Sequence, residues 1–304
     1  MKQNLVLSFI LLFFTHSAVY AKSNYEKWNL VENDYFRIYS DVKPEKVMVL
    51  LEELERLRVL LEVGLVVAVP QDAPKSIVVL FKSKRQFRKY VHHRNVAGYV
   101  VAVENVPVIV MPMSSRGLDR QQVIKHEYVH VVQAYDPQPK PKWYLEGLAE
   151  FFSTVTYHGD FALAGLPVEE RWNNTYYEYD YDKLIENEFD HLKSRYGKDA
   201  YSQYWLLTNY SLTHDDGAYQ TNLSNYLALY ANGDDSLEAF KKAYKKTPNE
   251  FAKEALKNYR NRSYSYNKLV FKLDKEKMDL NASVEKADES VVERLLLRLK
   301  SRLD

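Results

Sequence analysis

Two histidines four residues apart, His126 and His130, are the residues of this chain best suited to chemistry, and Glu127 lies between them. On an α-helix, residues i and i+4 lie one turn apart on the same face, so both imidazoles can reach one metal ion. A carboxylate at the Glu127 position can then accept a proton beside that metal. The H-E-x-x-H motif therefore predicts a metal-dependent hydrolytic site.

A catalytic zinc site generally has three protein ligands, so the motif requires one more donor. Glu146 is the candidate, because it lies in a second apolar helical segment, Lys142 to Thr156, that begins after the proline-rich stretch Pro137 to Pro141. Glu150 lies one turn further along the same face. We expect Glu150 to accept a hydrogen bond from the outer nitrogen of a ligand histidine and so to fix the tautomer of that ring.

The helix that carries the motif has local support. Asp119 is predicted to cap its N-terminus, and Gln122 completes a pair that resembles a capping box. Val123 and Val131 are among the apolar residues that give this helix faces to bury. The alternative is a chance match on the surface of an ordinary helix. The predicted caps and the second acidic segment argue against it.

The motif and the later segment Trp143 to Glu150, with the pattern W-x-x-E-G-x-A-E, together resemble the gluzincin zinc metallopeptidases. Within that clan the chain is most similar to the peptidase MA-like domains of bacterial secreted and lipid-anchored proteins. The likeness extends over most of the chain after residue 21, at Asp34 to Ser40, Ala200 to Trp205 and Leu237 to Tyr259. Only the metal motif is specific within it.

The resemblance implies a zinc-dependent peptidase in which His126, His130 and Glu146 bind the metal. In such enzymes zinc activates a water for attack on a peptide carbonyl, and the resemblance gives Glu127 the role of general base. A rival interpretation is a catalytically silent module of the cell envelope that keeps the same fold for binding or assembly. Retention of Glu127 argues against this rival, because a purely structural metal site needs no base.

The resemblance also implies an α+β, zincin-like fold. An N-terminal α/β lobe at residues 22–140 would carry the motif helix, and a mostly helical lobe at residues 141–275 would supply the third ligand. Residues 276–304 are predicted to form an amphipathic charged helix, from Ser283 to Leu303, that offers a surface for a protein partner.

Gluzincins generally supply a tyrosine or histidine from the rear lobe to stabilise the oxyanion that forms at the carbonyl. The resemblance points to Tyr201, which begins a helical segment 55 residues after Glu146. The alternative is a packed tyrosine without a catalytic role. Four other residues compete for the role: Tyr204, His158, His191 and His214.

The first 21 residues have the features of a secretory signal peptide. Lys2 supplies a positive charge, Leu5 to Phe14 an apolar run, and Val19 to Ala21 a small-residue cleavage site. The apolar run is too short to cross a bilayer comfortably, so no transmembrane segment is expected in the mature chain. We therefore expect a secreted or periplasmic protein, with an uncleaved N-terminal anchor as the alternative.

Composition limits the classes of partner and of metal ligand. The chain has 42 Lys and Arg residues against 41 Asp and Glu, and removal of the signal peptide takes away Lys2 and no acid. A formally neutral protein does not have the excess of basic residues expected of a nucleic-acid-binding protein. Because the chain has no cysteine, it contains neither disulfides nor thiolate ligands.

Before the motif, alternation and apolar runs predict a mixture of strands and helices. The expected elements are a strand at Tyr35 to Tyr39, a helix at Pro44 to Val63, a strand at Ser76 to Phe81, a basic helix at Lys84 to His93, and a hairpin of Gly98 to Val103 with Val106 to Met111. The hairpin leads into the motif helix. In gluzincins an edge strand at this place holds the substrate backbone, so the pair is the candidate for that role.

Behind the second metal segment the predicted elements are mostly helical. They are a short hairpin around Gly159, a helix at Asp199 to Leu212, a helix at Leu223 to Tyr230, a helix pair at Ser236 to Arg260 divided near Pro248, and a short segment at Asn267 to Leu273.

Overall fold

The structure is a computed structural model of the 304-residue chain, and it describes residues 25–62, 69–70, 72–93, 96–113, 120–168, 179–186, 200–261 and 268–302. The predicted signal peptide at residues 1–21, the predicted N-cap Asp119 and the candidate His191 lie outside the described residues.

The described residues form a mixed α/β structure with two sheets. The strands are β1 (Asn29–Glu32), β2 (Phe36–Ser40), β3 (Ser76–Phe81), β4 (Tyr99–Val103), β5 (Val106–Pro112), β6 (Thr156–His158), β7 (Phe161–Ala164), β8 (Leu269–Lys272) and β9 (Ser283–Lys286). The helices are α1 (Pro44–Leu61), α2 (Lys84–Phe87), α3 (Arg120–Gln133), α4 (Lys142–Ser153), α5 (Tyr181–Ile185), α6 (Ala200–Thr213), α7 (Gln220–Ala231), α8 (Ser236–Tyr244), α9 (Pro248–Asn261) and α10 (Glu289–Lys300).

The larger sheet has six strands in the order β4-β5-β3-β2-β1-β9. The pairs β2–β3 and β3–β5 are parallel, and the other pairs are antiparallel. Strand β3 alternates between two apolar faces: Val78 and Leu80 face α1 and α3, whereas Val79 and Phe81 face α2 and α10. The sheet is therefore covered on both sides, which accounts for the uninterrupted apolar sequence of β3.

A continuous apolar core connects this sheet with the helical part of the chain. It includes residues of α1 and α3 on the sheet and residues of α4 and α6 to α9 behind them. The smaller sheet, in the order β6-β7-β8, follows α4. In the part of the chain that the structure describes, no helix combines the length and the apolar character needed to cross a membrane.

The prediction of one helix from Ser283 to Leu303 is wrong for its first residues. Ser283–Lys286 is strand β9, which pairs with β1, and α10 begins only at Glu289 after its N-cap Asp288. The sequence of β9 is too short to show its pairing, because the free edge of β1 that it completes is distant along the chain. The first residues of the segment predicted as a C-terminal helix are thus part of the larger sheet.

Helix α10 uses its apolar face inside the molecule. Val292, Leu295, Leu296 and Leu299 are buried in the cluster that covers the outer face of the larger sheet. A protein partner of this helix would therefore meet its charged side, and that expectation stays a prediction.

Two other predicted helices are shorter than expected. The basic helix predicted at Lys84 to His93 is α2, Lys84–Phe87, continued by a 3-10 turn at Arg88–Tyr90. The segment predicted at Lys142 to Thr156 ends as a helix at Ser153, because Thr156 is already the first residue of β6. Strand β1 has no counterpart among the predicted elements.

Candidate metal centre

Helices α3 and α4 bring the two parts of the predicted site together. His126 Nε2 lies 3.1 Å from His130 Nε2, and each of these atoms lies 3.4 Å from Glu146 Oε2. Within the described ranges, no other set of three such side chains places its ligand atoms within 4.8 Å of one another. The two histidines and the later glutamate therefore form one compact group of donors.

The spacing of these donors fits a metal ion. Metal–ligand bonds of about 2.0 to 2.1 Å at tetrahedral angles separate the ligand atoms by about 3.3 to 3.4 Å, close to the three distances observed. Two imidazoles and one carboxylate suit zinc, and ferrous iron in oxygenases uses the same donor types. The group thus has the chemistry of a site for a divalent transition metal.

Glu150 lies where its predicted role requires. Its Oε1 is 3.2 Å from His126 Nδ1, on the side of the ring away from Glu146, and the carboxyl is buried. A carboxylate there accepts the Nδ1 proton and leaves the Nε2 lone pair directed at the donor triangle. The sequence placed Glu150 correctly on the face of α4 that carries Glu146, but it did not show which histidine it would contact.

Gln133 holds the second histidine in the same way, although its sequence position did not mark it as a site residue. Its Oε1 lies 2.8 Å from His130 Nδ1, while its Nε2 donates to the carbonyl of Leu145 at 3.0 Å. A flipped amide would set two oxygens against each other at Leu145, so the orientation is defined. The i+3 spacing from His130 was the only sequence signal, and polar residues at that spacing are common on helices.

Replacement of Gln133 by leucine is expected to weaken metal affinity about 10- to 100-fold, because His130 then loses the acceptor that fixes its tautomer. Competition with a chromophoric chelator measures this affinity. Gln138→Leu is the matched control, since Gln138 lies exposed in the loop between α3 and α4. Glu150→Ala is expected to cause a similar loss through His126. Unchanged affinity in both variants would contradict the roles given to these two side chains.

The site gathers three carboxylates around two imidazoles. Burial opposes protonation of His126, but its hydrogen bonds to Glu146 and Glu150 outweigh burial and raise its pKa to about 10. Burial likewise opposes ionisation of Glu146, yet the two histidines hold its pKa well below the ordinary range. The two shifts are largely reciprocal, because the contact between the imidazole of His126 and the carboxylate of Glu146 favours the charged form of each group.

Glu127 stands apart from the donor triangle, on the same turn of α3. Its carboxyl is buried, and burial raises its pKa above the ordinary value, although His126 and His130 partly offset that effect. A raised pKa makes the carboxylate a better proton acceptor at neutral pH. Gly98, just before edge strand β4, lies against this side chain: a Cβ there would be 3.4 Å from Glu127 Cγ and 2.9 Å from Val123 Cγ1.

Lys125 fixes α3 between the neighbouring helices. Its Nζ lies 3.1 Å from Glu53 Oε2 of α1 and donates to the carbonyl of Val155, beyond the end of α4, at 2.9 Å. The side chain is buried, so both contacts lie largely out of water. These two contacts tie the helix of His126 to α1 and to the residue that follows α4 by two positions.

Helix α6 packs closely on α4 and presents two tyrosines to the site. The ring of Tyr201 lies 6.0 Å from that of His126, centroid to centroid, and 6.3 Å from that of Tyr204. Tyr201 is half-buried, whereas Tyr204 is only 1 % exposed. Burial, and then the nearby Glu146 carboxylate, raise the pKa of Tyr204.

Two of the histidines that compete with Tyr201, His158 and His214, lie elsewhere. His158 is exposed on β6, and His214 follows the far end of α6, where Asn258 lies 3.2 Å from its Nδ1. A helix rises about 1.5 Å per residue, so His214 is about 20 Å from Tyr201 along the axis. His191 lies outside the described residues.

The β4–β5 hairpin agrees with its prediction. Glu104 and Asn105 form its turn with left-handed φ angles of 51° and 65°, the backbone that a two-residue hairpin of this type requires. Strand β4 is at the edge of the larger sheet, and β5 precedes α3 in the chain. Its role in holding a substrate backbone stays a prediction.

The chain matches no protein-family model, and no curated protein is significantly similar to it in sequence.

Proposed function

We propose that this protein is a zinc metallopeptidase of the gluzincin type that acts outside the cytoplasm, as a secreted or periplasmic enzyme. The observation that carries the proposal is the donor triangle of His126, His130 and Glu146, with Glu127 beside it on the same helix. A structural metal site requires neither a free base nor an open side. The larger sheet, with an edge strand before the motif helix, is consistent with a zincin-like fold.

Zinc bound by the three donors would act as a Lewis acid on the peptide carbonyl and lower the pKa of a water in the site. The buried Glu127 carboxylate accepts the proton of the attacking water and passes it to the leaving amine. Glu150 and Gln133 keep both imidazoles in the tautomer that leaves Nε2 free. The hydroxyl of Tyr201 donates a hydrogen bond to the developing oxyanion.

The test is digestion of a peptide library by purified mature protein, read by mass spectrometry, with and without a chelator. We expect chelator-sensitive cleavage that is restored by added zinc. The rival function, a binding module with the same fold, predicts no cleavage under any metal condition. Absence of cleavage by a fully zinc-loaded protein would favour the rival.

One tightly held zinc per chain is expected, because three protein ligands on two helices match a catalytic site with one open position. Elemental analysis of the purified protein measures the stoichiometry and distinguishes zinc from iron. Changing His126→Ala together with His130→Ala should remove the metal. A metal content near zero after supplementation, or one that survives the double change, would exclude the assignment.

Tyr201→Phe is expected to lower turnover about 100- to 1,000-fold, the usual loss when one oxyanion donor is removed. Zinc content and thermal stability should stay unchanged, because the ring that contacts His126 is retained. Tyr204→Phe is the control: its ring is nearly fully buried, so a substrate cannot reach its hydroxyl. Full activity in Tyr201→Phe would transfer the role to another donor.

A further inference from the structure

A group of basic side chains lies on the side of the larger sheet that faces away from α3. Helix α2 and the 3-10 turn after it pack against α10 there, and His92 Nε2 lies 3.3 Å from the carbonyl of Arg302. Seven cations of these segments are exposed, and we name five of them, other than Arg294 and Arg298, the basic face: Arg85, Arg88, Lys89, Lys300 and Arg302.

The α2 part of the basic face carries more positive than negative charge, although Asp41 is hydrogen-bonded to Gln86 there and Glu289 and Glu293 are exposed on α10. No acidic residue occurs between positions 73 and 103, a stretch that holds seven Lys and Arg residues, although the whole chain is almost neutral. None of the five cations forms an ion pair with an acidic residue that the structure describes. By contrast, Arg298 of the same helix is paired with Glu104. The stretch that contains α2 and the 3-10 turn thus has a local surplus of positive charge, which attracts anions.

Exposed apolar side chains accompany these cations on α10. Leu297 is 59 % exposed and Val291 is 36 % exposed, with the exposed Arg294 between them at a spacing of three residues. Residues i, i+3 and i+6 span about a third of the circumference of a helix, so this outward side carries apolar and basic groups, together with the exposed Glu293 one turn before Leu297. Such a mixture suits the boundary between phospholipid headgroups and acyl chains.

The chain also enters the structure on this side. Tyr25, the first described residue, packs with Tyr90 on the apolar cluster beneath the basic face. The apolar run Leu5 to Phe14 lies a short distance upstream in the sequence. The described part of the chain therefore begins beside the basic face.

We propose that the basic face binds the anionic phospholipid surface of a membrane. Helix α3 and its metal centre lie on the opposite side of the larger sheet, so binding in this way directs the site away from the bilayer. Each Lys or Arg near an anionic bilayer strengthens binding about fivefold, hence five of them give a substantial affinity without any lipid-specific pocket.

The test is sedimentation of purified mature protein with lipid vesicles. One set of vesicles contains phosphatidylcholine alone, and in the other roughly one lipid in three is phosphatidylglycerol, a charge density typical of anionic membranes. We expect binding only to the anionic vesicles, and its loss when sodium chloride rises to about 0.5 M. Arg85→Gln, Arg88→Gln and Lys89→Gln together should lower binding roughly 100-fold. Leu297→Ser should lower it further, without unfolding, because that side chain is exposed.

The matched control removes the same charge from another surface. Lys253, Lys257 and Lys268 are exposed, and their joint change to glutamine should leave vesicle binding unaltered apart from the effect of net charge. Equal binding to neutral vesicles, or equal losses in the two triple variants, would overturn the proposal. Binding to heparin or single-stranded DNA at physiological salt without binding to vesicles would overturn it in favour of a polymeric anion.

Discussion

Glu127→Gln is expected to lower peptide hydrolysis roughly 100- to 10,000-fold, the range found when a general acid–base group is removed. The amide keeps the shape of the buried side chain but cannot accept the proton of the attacking water. The metal content should be nearly unchanged, because Glu127 lies outside the donor triangle. Steady-state kinetics on a fluorogenic peptide, with elemental analysis of the same sample, measures both quantities.

The companion change Glu146→Ala separates the base from the ligand. It removes the only carboxylate among the three donors, so metal content should fall together with activity. Equal loss of metal in the two variants would show that the roles of Glu127 and Glu146 are wrongly divided. An active Glu127→Gln protein would exclude general-base catalysis by this residue.

Gly147→Ala is expected to lower the free energy of unfolding by about 3 kcal/mol, at the upper end of the usual cost of overpacking. A Cβ at Gly147 of α4 would lie well inside van der Waals contact with the Thr208 side chain and with the Tyr204 carbonyl of α6. The backbone carbonyl cannot move alone, so the helices must separate. The gain in helix propensity, about 1 kcal/mol, is too small to compensate. Thermal and urea unfolding measure the loss.

This substitution should also weaken the metal site, since Gly147 follows the ligand Glu146 directly and separation of α4 from α6 displaces both Glu146 and the tyrosines. Gly159→Ala is the control. Unlike Gly147, Gly159 has a left-handed φ of 60°, and apart from its chain neighbours no atom of the described residues lies within 4 Å of a Cβ built there. That variant should lose about 1 to 2 kcal/mol of stability through backbone strain and retain full metal affinity. Wild-type stability in Gly147→Ala would contradict the close packing of α4 on α6.

Features that depend on neighbouring residues in the chain were predicted well. The motif helix α3, the strand β3 and the helix α1 occur where periodicity and apolar runs placed them. The predicted division near Pro248 is confirmed, because a reciprocal pair of hydrogen bonds between Thr247 and Glu250 caps α9 there. Spacing along a helix also placed Glu150 on the face of α4 that carries Glu146.

Features that depend on distant contacts were missed. Strand β9 was predicted as helix, because its four residues, Ser-Val-Glu-Lys, show no sequence pattern typical of a strand. They form a strand because they pair with the free edge of β1. Gln133 looked like an ordinary polar helix residue, because its two partners lie on different helices. The placement of Tyr201 beside His126, and of His214 at the far end of α6, follows from how α6 packs on α4.

The sequence by itself determined which side chains are candidates for the site: two imidazoles one helical turn apart, Glu127 directly after the first of them, and Glu146 on a second acidic helix. Local spacing is enough for this, because a helix fixes the relative positions of residues three and four apart. Only the tertiary structure decided which histidine Glu150 and Gln133 each contact, which tyrosine ring lies against His126, and which surface collects exposed cations that form no ion pair with a described residue. Those relations join residues far apart in the chain, and they depend on side-chain packing between elements, which no local pattern encodes.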